Sequence, residues 1–311
     1  MSCTVAGPTP LPPRTRPSWP TLEPSAPQPT WANDTGATDA SYSTPNGLTP
    51  TRLHVVVPGY NTRVVAIRTS LGRAAIKLEM RTPARQTIRS SACGDPSPVQ
   101  TGCSVCELAG ETDDMDSAVL DAVLTAFDRY PAKVLEDTHV DKVALCKKLS
   151  YEDIPDRGTV GTVDLKEHRL IVSVAPFIGH QYDAYGQQTA EDIVHHELFH
   201  LFEFERMHDN YQDDPAWRLW NPLGFTYVDS GGKAPDDDDR PDGFVNAYAA
   251  TNEIEDKASV YQYLMARPSE LCEIEKKDPT LRKKVDILWK RIGAITDDAF
   301  LRTRARCAGL D

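Results

Sequence analysis

Apolar residues recur at helical spacing in several segments of the chain. In DSAVLDAVLTAFDRYP, which begins at residue 116, apolar side chains return every three or four positions until Pro131 interrupts the pattern. The same spacing appears after residue 250 in NEIEDKASVYQYLMARP, TLRKKVDILWKRIG and DDAFLRTRARC. We predict a helix in each of these four segments.

Two shorter segments, DKVALCKKL and EHRLIVSVAPF, alternate in part between apolar and polar residues, as strands do. Helical spacing follows them in TAEDIVHHELFHLFEFERMHDN, residues 189–210, and a loop-like region then continues to about Phe244. That loop contains the acidic run Asp236–Asp239, which we expect to be solvated surface rather than a calcium site. The order of elements predicts an α+β fold, with a small sheet formed before residue 175.

The first 109 residues differ in composition from the rest of the chain. Eleven of the 24 prolines lie in residues 1–50, and a segment of this kind buries too little apolar surface to fold, so we predict disorder there. Residues 51–90 carry eight basic side chains and one acidic side chain. We assign 51–109 to a basic arm or pro-segment, with a strand pair or an organelle-type leader as alternatives, and 110–311 to one folded domain.

The formal net charge of −12 argues against nucleic acid as the default partner, because phosphate backbones bind clustered Lys and Arg. Residues 1–90 carry a net charge of +6, which leaves −18 for the remainder. No apolar run approaches the roughly 18 residues of a membrane helix, and no secretory signal stands at the start. We therefore expect no membrane partner and a cytoplasmic location by default, with export by another route left open.

Seven cysteines leave at least one unpaired within the chain. Cys103 and Cys106 form a single C-x-x-C, with Cys93 nearby. We expect a disulfide or free thiols here rather than a second zinc site, because such a site needs another nearby pair of ligands.

The segment around residue 196 carries the pattern H-E-x-x-H. Thr189 and Asp192 resemble an N-terminal cap, so a helix starting there places His196 and His200 one turn apart on the same face. Two imidazoles on one face can bind one metal ion. Glu197 lies about 100° further around the helix, where a carboxylate can act on water without being a ligand.

A zinc site of this type needs a third protein ligand. The extended motif H-E-x-x-H-x-x-G-x-x-H is excluded, because position 203 is Glu and position 206 is Arg. Glu203 lies on the ligand face but roughly 10 Å along the helix axis from His196, so we expect it to lie behind the site or at the surface. His195 faces away from the ligands, and surface polarity or a hydrogen bond explains it.

Another acidic residue, Glu255, follows in YAATNEIEDKASVYQYLM. A second helix packed against the first could bring its carboxylate to the metal. Alternatively, Asn252 and Glu255 form a capping box that only closes the start of their own helix. Spacing alone leaves these two possibilities equal.

The combination of HHELFH with YAATNEIED resembles the gluzincin metallopeptidases related to the catalytic domain of anthrax lethal factor, and candidate zinc-binding metallopeptidases of bacteria. The resemblance covers about residues 189–265 and implies a zincin-like domain with a small upper sheet, an H-E-x-x-H helix and a helical lower lobe. It implies His196, His200 and Glu255 as ligands of one zinc ion, Glu197 as general base and Tyr248 as a hydrogen-bond donor in the transition state. After Glu255 the chain has Asp-Lys-Ala, where the lethal factor pattern has aromatic residues before its Ala.

The expected function is that of a zinc metalloendopeptidase, in which water activated by zinc and by Glu197 hydrolyses a peptide bond of a protein or peptide substrate. One alternative is a zinc hydrolase that acts on a non-peptide substrate. Another is a degenerate zincin that serves as a binding or effector module. The retained Glu197 speaks against the degenerate form, because binding zinc alone does not require that base.

Overall fold

A computed structural model provides the fold. It describes residues 53–56, 62–69, 72–79, 87–94, 102–109, 117–140, 142–152, 159–177, 188–207, 211, 213–235, 240–296 and 300. All of them belong to the compact unit Ala32–Asp311. The predicted disordered segment 1–50, the acidic run 236–239 and nearly all of the predicted helix DDAFLRTRARC lie outside the described residues.

Eight strands form one mixed sheet in the described part of the chain, with β6 at its centre. Strand β6 pairs in parallel with β3 and β8 and antiparallel with β5. All five residues of β8 are buried, which agrees with its nearly continuous apolar sequence RLIVS. The strands are β1 Leu53–Val56, β2 Thr62–Thr69, β3 Gly72–Glu79, β4 Thr87–Arg89, β5 Ser104–Leu108, β6 Lys142–Tyr151, β7 Gly161–Asp164 and β8 Arg169–Ser173.

The sheet is larger than the sequence predicted, because it includes five strands from residues 51–109. Among them β2 and β3 form an antiparallel pair, the alternative considered for the basic segment. The predicted domain boundary between residues 109 and 110 therefore separates β1 to β5 from β6 to β8, although all of these strands belong to one sheet. Whether residues 51–109 also act as a pro-segment stays a prediction.

Disulfides join neighbouring parts of this sheet. Cys93 is bonded to Cys103 near the start of β5, and Cys106 on β5 is bonded to Cys146 on β6. The second pair is almost completely buried. The disulfide chemistry expected at Cys93, Cys103 and Cys106 is present in these two bonds. Cys272 is also disulfide-bonded.

Helices α1, α3, α5 and α7 confirm four of the helices predicted from apolar spacing. The short helices α2, α4 and α6 were not predicted. Proline at the first turn and an aspartate N-cap define the starts of α4 and α7, where Asp214 and Asp278 accept hydrogen bonds from Trp217 N and Leu281 N. The helices are α1 Ser117–Asp128, α2 Ala132–Asp137, α3 Ala190–Arg206, α4 Pro215–Arg218, α5 Glu253–Ala266, α6 Pro268–Glu275 and α7 Pro279–Ile295.

Helix α3 lies at the centre of the fold and packs against β7 and β8 on one side and against α1 and α5 on others. Its residues are buried nearly all around the helix, from Ala190 to Glu203. It nevertheless carries histidines and carboxylates, which need partners when buried. None of the helices that the structure describes combines the length and hydrophobicity needed to cross a membrane.

Shortening the chain from its start tests which N-terminal residues belong to the fold. A chain that begins at residue 51 is expected to melt at the same temperature as the full chain, because residues 1–50 have the composition of a disordered segment. A chain that begins at residue 100 is expected to melt lower. It lacks β4, the Cys93–Cys103 disulfide and the hydrogen bond from Ser91 N to Asp164 Oδ2 at 2.7 Å.

The disulfide alone is expected to contribute about 2–4 kcal/mol to the free energy of unfolding. A full-length chain with Cys93→Ser and Cys103→Ser separates this contribution from that of the strands. Equal melting temperatures for the full chain and the chain from residue 100 would show that β1 to β4 contribute nothing to stability.

Candidate metal centre

Helix α3 begins where the sequence predicts, at a complete capping box. Thr189 Oγ1 accepts a hydrogen bond from Asp192 N at 3.1 Å, and Asp192 Oδ2 accepts one from Thr189 N at 2.7 Å. Arg267, directly after α5, donates to both oxygens of Asp192 at 3.0 and 2.8 Å. Arg267 therefore links the start of α3 to the end of α5. The two helices are in contact both at the N-cap of α3 and around His196.

The structure brings His196, His200 and Glu255 together. Glu255 Oε2 lies 2.8 Å from His196 Nε2 and 3.6 Å from His200 Nε2. The two imidazole rings meet edge to face, with centroids 4.8 Å apart. One potential ligand atom from each of the three residues lies within 4.8 Å of the others.

This donor set fits a zinc ion. Zinc prefers imidazole nitrogen and carboxylate oxygen at about 2.0–2.2 Å, so neighbouring donors of a tetrahedral site are separated by about 3.4 Å. The separations of 2.8 and 3.6 Å bracket that value. Three protein donors also leave a fourth position open, which is typical of catalytic rather than structural zinc.

Charge within the site also favours a cation. Burial alone would raise the pKa of Glu255, but His200 and His196 outweigh it and hold the pKa well below its ordinary value. Burial would likewise lower the pKa of His196, and the Glu255 carboxylate raises it above the ordinary value instead. A negative charge therefore persists at Glu255 in a buried position, where a metal ion can compensate it.

The start of α5 directs Glu255 toward the histidines. Asn252 is the N-cap, and its Oδ1 accepts a hydrogen bond from Glu255 N at 2.9 Å. The Glu255 carboxylate contacts His196, whereas a full capping box would turn it back toward the Asn252 backbone. Asn252 therefore caps the helix, but Glu255 does not make the return contact of a capping box. Its side chain contacts the histidines instead.

Two buried ion pairs lie next to Glu255 on α5. Asp256 contacts Lys284 Nζ at 2.7 Å, and Lys257 contacts Glu203 Oε1 at 2.5 Å, all four residues having no exposed surface. Glu203 is therefore not a surface residue, and it is not among the three converging ligand atoms. Burial raises the pKa of Glu203 to about 8, although Lys257 opposes the change.

Glu197 is buried beside the ligand residues, and burial raises the pKa of its carboxyl group. The imidazoles of His196 and His200 oppose this rise. Strand β7 passes so close that a Cβ atom added at Gly161 would lie 2.7 Å from Glu197 Oε1 and 2.5 Å from Ile193 Cγ2. Glycine at this position lets the backbone of the strand close one side of the Glu197 carboxylate.

Tyr248 lies in a turn of 3-10 helix, Tyr248–Ala250, just before α5. Its ring centroid is 5.9 Å from that of His196. Although half of the side chain is exposed, burial of the hydroxyl end together with Glu255 and Glu197 raises the pKa of the phenol well above its ordinary value. The phenol is protonated at neutral pH, as an ordinary tyrosine is, and the nearby carboxylates of Glu255 and Glu197 disfavour its ionisation further.

His195 and Gln262 complete the surroundings of the site. His195 is fully buried and its Nδ1 lies 2.7 Å from the hydroxyl of Tyr130, so of the two explanations offered for it the hydrogen bond is correct and surface polarity is wrong. Gln262 Oε1 lies 3.2 Å from His196 Nδ1. No motif in the sequence marks Gln262, although its position two helical turns after Glu255 places it on the same face of α5.

Comparisons with known proteins provide one partial structural likeness. No protein-family model matches the chain, and no curated protein does. The chain is similar in part to the crystal structure of a candidate zinc-binding metallo-peptidase from Bacteroides caccae, with a TM-score of 0.37 and 17% identity over 60% of this chain and 74% of that chain. With so low a TM-score, the roles of residues rest on the geometry of the chain itself.

The effect of zinc on thermal stability is expected to depend on pH. In the metal-free protein, His196 contributes stability below its ordinary pKa of about 6.5, and this contribution is lost as pH rises through the raised pKa. Above that pKa the imidazole is neutral, so Glu255 Oε2, 2.8 Å from Nε2, loses its positively charged partner. Zinc can take the place of the proton, so the increase in melting temperature on adding zinc should be larger at pH 8 than at pH 6.

Melting curves with and without zinc at both pH values provide the measurement. Zinc at 100 times its Kd should stabilise the native state by about 2.7 kcal/mol. Glu255→Gln serves as the comparison and should show a smaller zinc effect at both pH values. An equal or larger effect of zinc at pH 6 would contradict the assignment of His196 and Glu255 to one cation site.

Proposed function

We propose that this chain is a zinc-dependent peptidase with a zincin-like arrangement, in which His196, His200 and Glu255 hold the metal. The observation that carries the proposal is the convergence of two imidazole nitrogens and one carboxylate oxygen beside a second, unliganded carboxylate. A site that only stored zinc would not need Glu197 next to it. This combination is typical of metal-assisted hydrolysis.

When bound, zinc supplies Lewis acidity, which lowers the pKa of water to about 7 and polarises a carbonyl group. Glu197 then accepts a proton from the water as the water attacks the carbonyl carbon. As the C–N bond breaks, Glu197 passes the same proton to the leaving amine. Burial raises the pKa of its carboxyl group, so the carboxylate is a stronger base than an exposed glutamate would be.

Tyr248 donates a hydrogen bond to the oxygen that gains negative charge during the attack. The phenol is protonated at neutral pH and can donate this hydrogen bond. Half of its side chain is exposed, so the ring has room to turn toward a substrate. Gly161 and the buried surroundings of α3 exclude water from the far side of Glu197.

The preference for peptide bonds rests on the resemblance of HHELFH and YAATNEIED to the gluzincins. The direct experiment incubates the zinc-loaded protein with a complex peptide mixture and identifies new termini by mass spectrometry. Cleavage that stops with a chelator and returns with zinc supports the proposal. Hydrolysis of esters or other non-peptide substrates without any peptide cleavage would favour a zinc hydrolase of another specificity.

Replacing the proposed base separates chemistry from metal binding. Glu197→Gln should keep one zinc per chain and reduce kcat/KM by about 10²–10⁴-fold, because it removes proton transfer and no ligand. His200→Ala should lose the metal as well as activity. Zinc content by atomic emission and kcat/KM on a cleaved peptide provide the two measurements.

Glu205→Gln, near the end of the same helix, is the matched control and should behave like the wild type. Loss of zinc from Glu197→Gln would show that this carboxylate is a ligand, contrary to the proposal.

Removing only the hydroxyl of Tyr248 tests its role in the transition state. Tyr248→Phe should retain zinc and the wild-type melting temperature, keep KM within a few-fold, and lose about 10²–10³-fold in kcat. Tyr151→Phe removes a neighbouring phenol hydroxyl that has no assigned role and should leave kcat unchanged. A near-normal kcat in Tyr248→Phe would mean that this tyrosine only packs beside the site.

A further inference from the structure

Gln262 makes a buried contact with a proposed metal ligand. It lies on α5, has no exposed surface, and places its Oε1 atom 3.2 Å from His196 Nδ1. The same helix supplies Glu255 two turns earlier, and Glu255 contacts the other nitrogen of the same imidazole, Nε2, at 2.8 Å. Helix α5 therefore holds His196 from both sides of its ring.

The chemistry of this contact determines where the imidazole carries its proton. An amide oxygen can only accept a hydrogen bond, so the partner nitrogen Nδ1 must carry the hydrogen. In the neutral imidazole the lone pair is then on Nε2, the atom directed at Glu255. A metal ligand needs that arrangement, because a protonated nitrogen cannot bind the ion.

The position of Gln262 is unfavourable for stability unless the contact has a use. Among the described residues, Gln262 Nε2 is buried and has no hydrogen-bond partner. A buried amide nitrogen without a partner destabilises the fold, and an apolar side chain of similar size would avoid that cost. The contact of the amide oxygen with His196 is therefore the feature that explains a glutamine at this position.

His200 provides a contrast within the same site. In the described part of the chain, its Nδ1 atom is buried without a hydrogen-bond partner. Among the described residues, a side chain therefore contacts the rear nitrogen of His196 but not that of His200. The acceptor at His196 is also a neutral amide, so it adds no further negative charge to a site that already contains Glu255 and Glu197.

We infer that Gln262 is a positioning residue, which fixes the tautomer and orientation of His196 so that Nε2 is available to a zinc ion. The inference rests on the proposed function, because it assigns a task within the same site. It is independent of the substrate, because it concerns the affinity and geometry of the metal ligand rather than the bond that is cleaved.

Two substitutions at this position distinguish positioning from packing. Gln262→Met keeps the length of the side chain and removes the acceptor, and Gln262→Glu keeps an acceptor oxygen and adds a charge. If Gln262 positions His196, the Met variant should bind zinc about 10- to 100-fold more weakly than the wild type. The Glu variant should bind zinc within a few-fold of the wild type. If Gln262 only packs, the order reverses, because a buried charge is worse than an apolar side chain.

Zinc affinity is measured by competition with a chelator of known Kd, and the melting temperature of each metal-free variant shows that it is folded. Ser259→Ala is the matched control, since Ser259 is buried on the same helix and its hydroxyl has no hydrogen-bond partner among the described residues. This variant should bind zinc like the wild type.

Nuclear magnetic resonance of histidine labelled with nitrogen-15 gives a second readout that does not depend on affinity. The zinc-loaded wild type should show a slowly exchanging Nδ1–H signal for His196, which Gln262→Met loses and Gln262→Glu retains. If Gln262→Met does not fold, the Glu variant and this signal still decide the question. Wild-type zinc affinity in the Met variant, or weaker binding by Glu than by Met, overturns the inference. Zinc binding by the wild type without peptide cleavage would overturn the proposed peptidase function and leave this inference intact.

Discussion

A carboxylate with no exposed surface must be surrounded by hydrogen-bond donors, and this requirement at Asp256 organises the C-terminal half of the molecule. Its Oδ2 atom accepts hydrogen bonds from Trp217 Nε1 and the Tyr227 hydroxyl, both at 2.8 Å, and from Lys284 Nζ at 2.7 Å. These donors come from α4, the loop after it, and α7. Because Asp256 directly follows Glu255, the same contacts determine where the Glu255 carboxylate leaves the start of α5.

The pair of Lys257 and Glu203 fixes the other side of α5 against α3. Asp256 and Lys257, the two residues directly after Glu255, thus both form buried ion pairs. Charges of this kind are sensitive to the loss of a partner, which typically costs about 3–5 kcal/mol. The distances between the proposed ligand atoms therefore depend on charged residues that do not touch the metal site themselves.

The parts of this structure that sequence could predict are those governed by contacts between near neighbours. The start of α3 at Thr189 and the common face of His196 and His200 follow from residues three or four positions apart. The eight basic side chains of residues 51–90 favour a basic arm over a strand pair, and strand β6, which joins β3 to the rest of the sheet, lies more than 60 residues further along the chain. For the same reason the contacts of Gly161 and Gln262 with residues on α3 could not be read from spacing, since each depends on how distant elements pack.

The disulfide between Cys93 and Cys103 has a consequence for metal selectivity. Together with Glu152, these cysteines form the other group of three potential donors that the described residues contain. Zinc binds cysteine as the thiolate, and sulfur atoms joined in a disulfide no longer offer that form. In a reduced chain, two thiolates and a carboxylate would compete with the histidine cluster for the ion. Oxidation of this cysteine pair thus removes two thiolates that would compete for the zinc ion proposed at the histidine cluster.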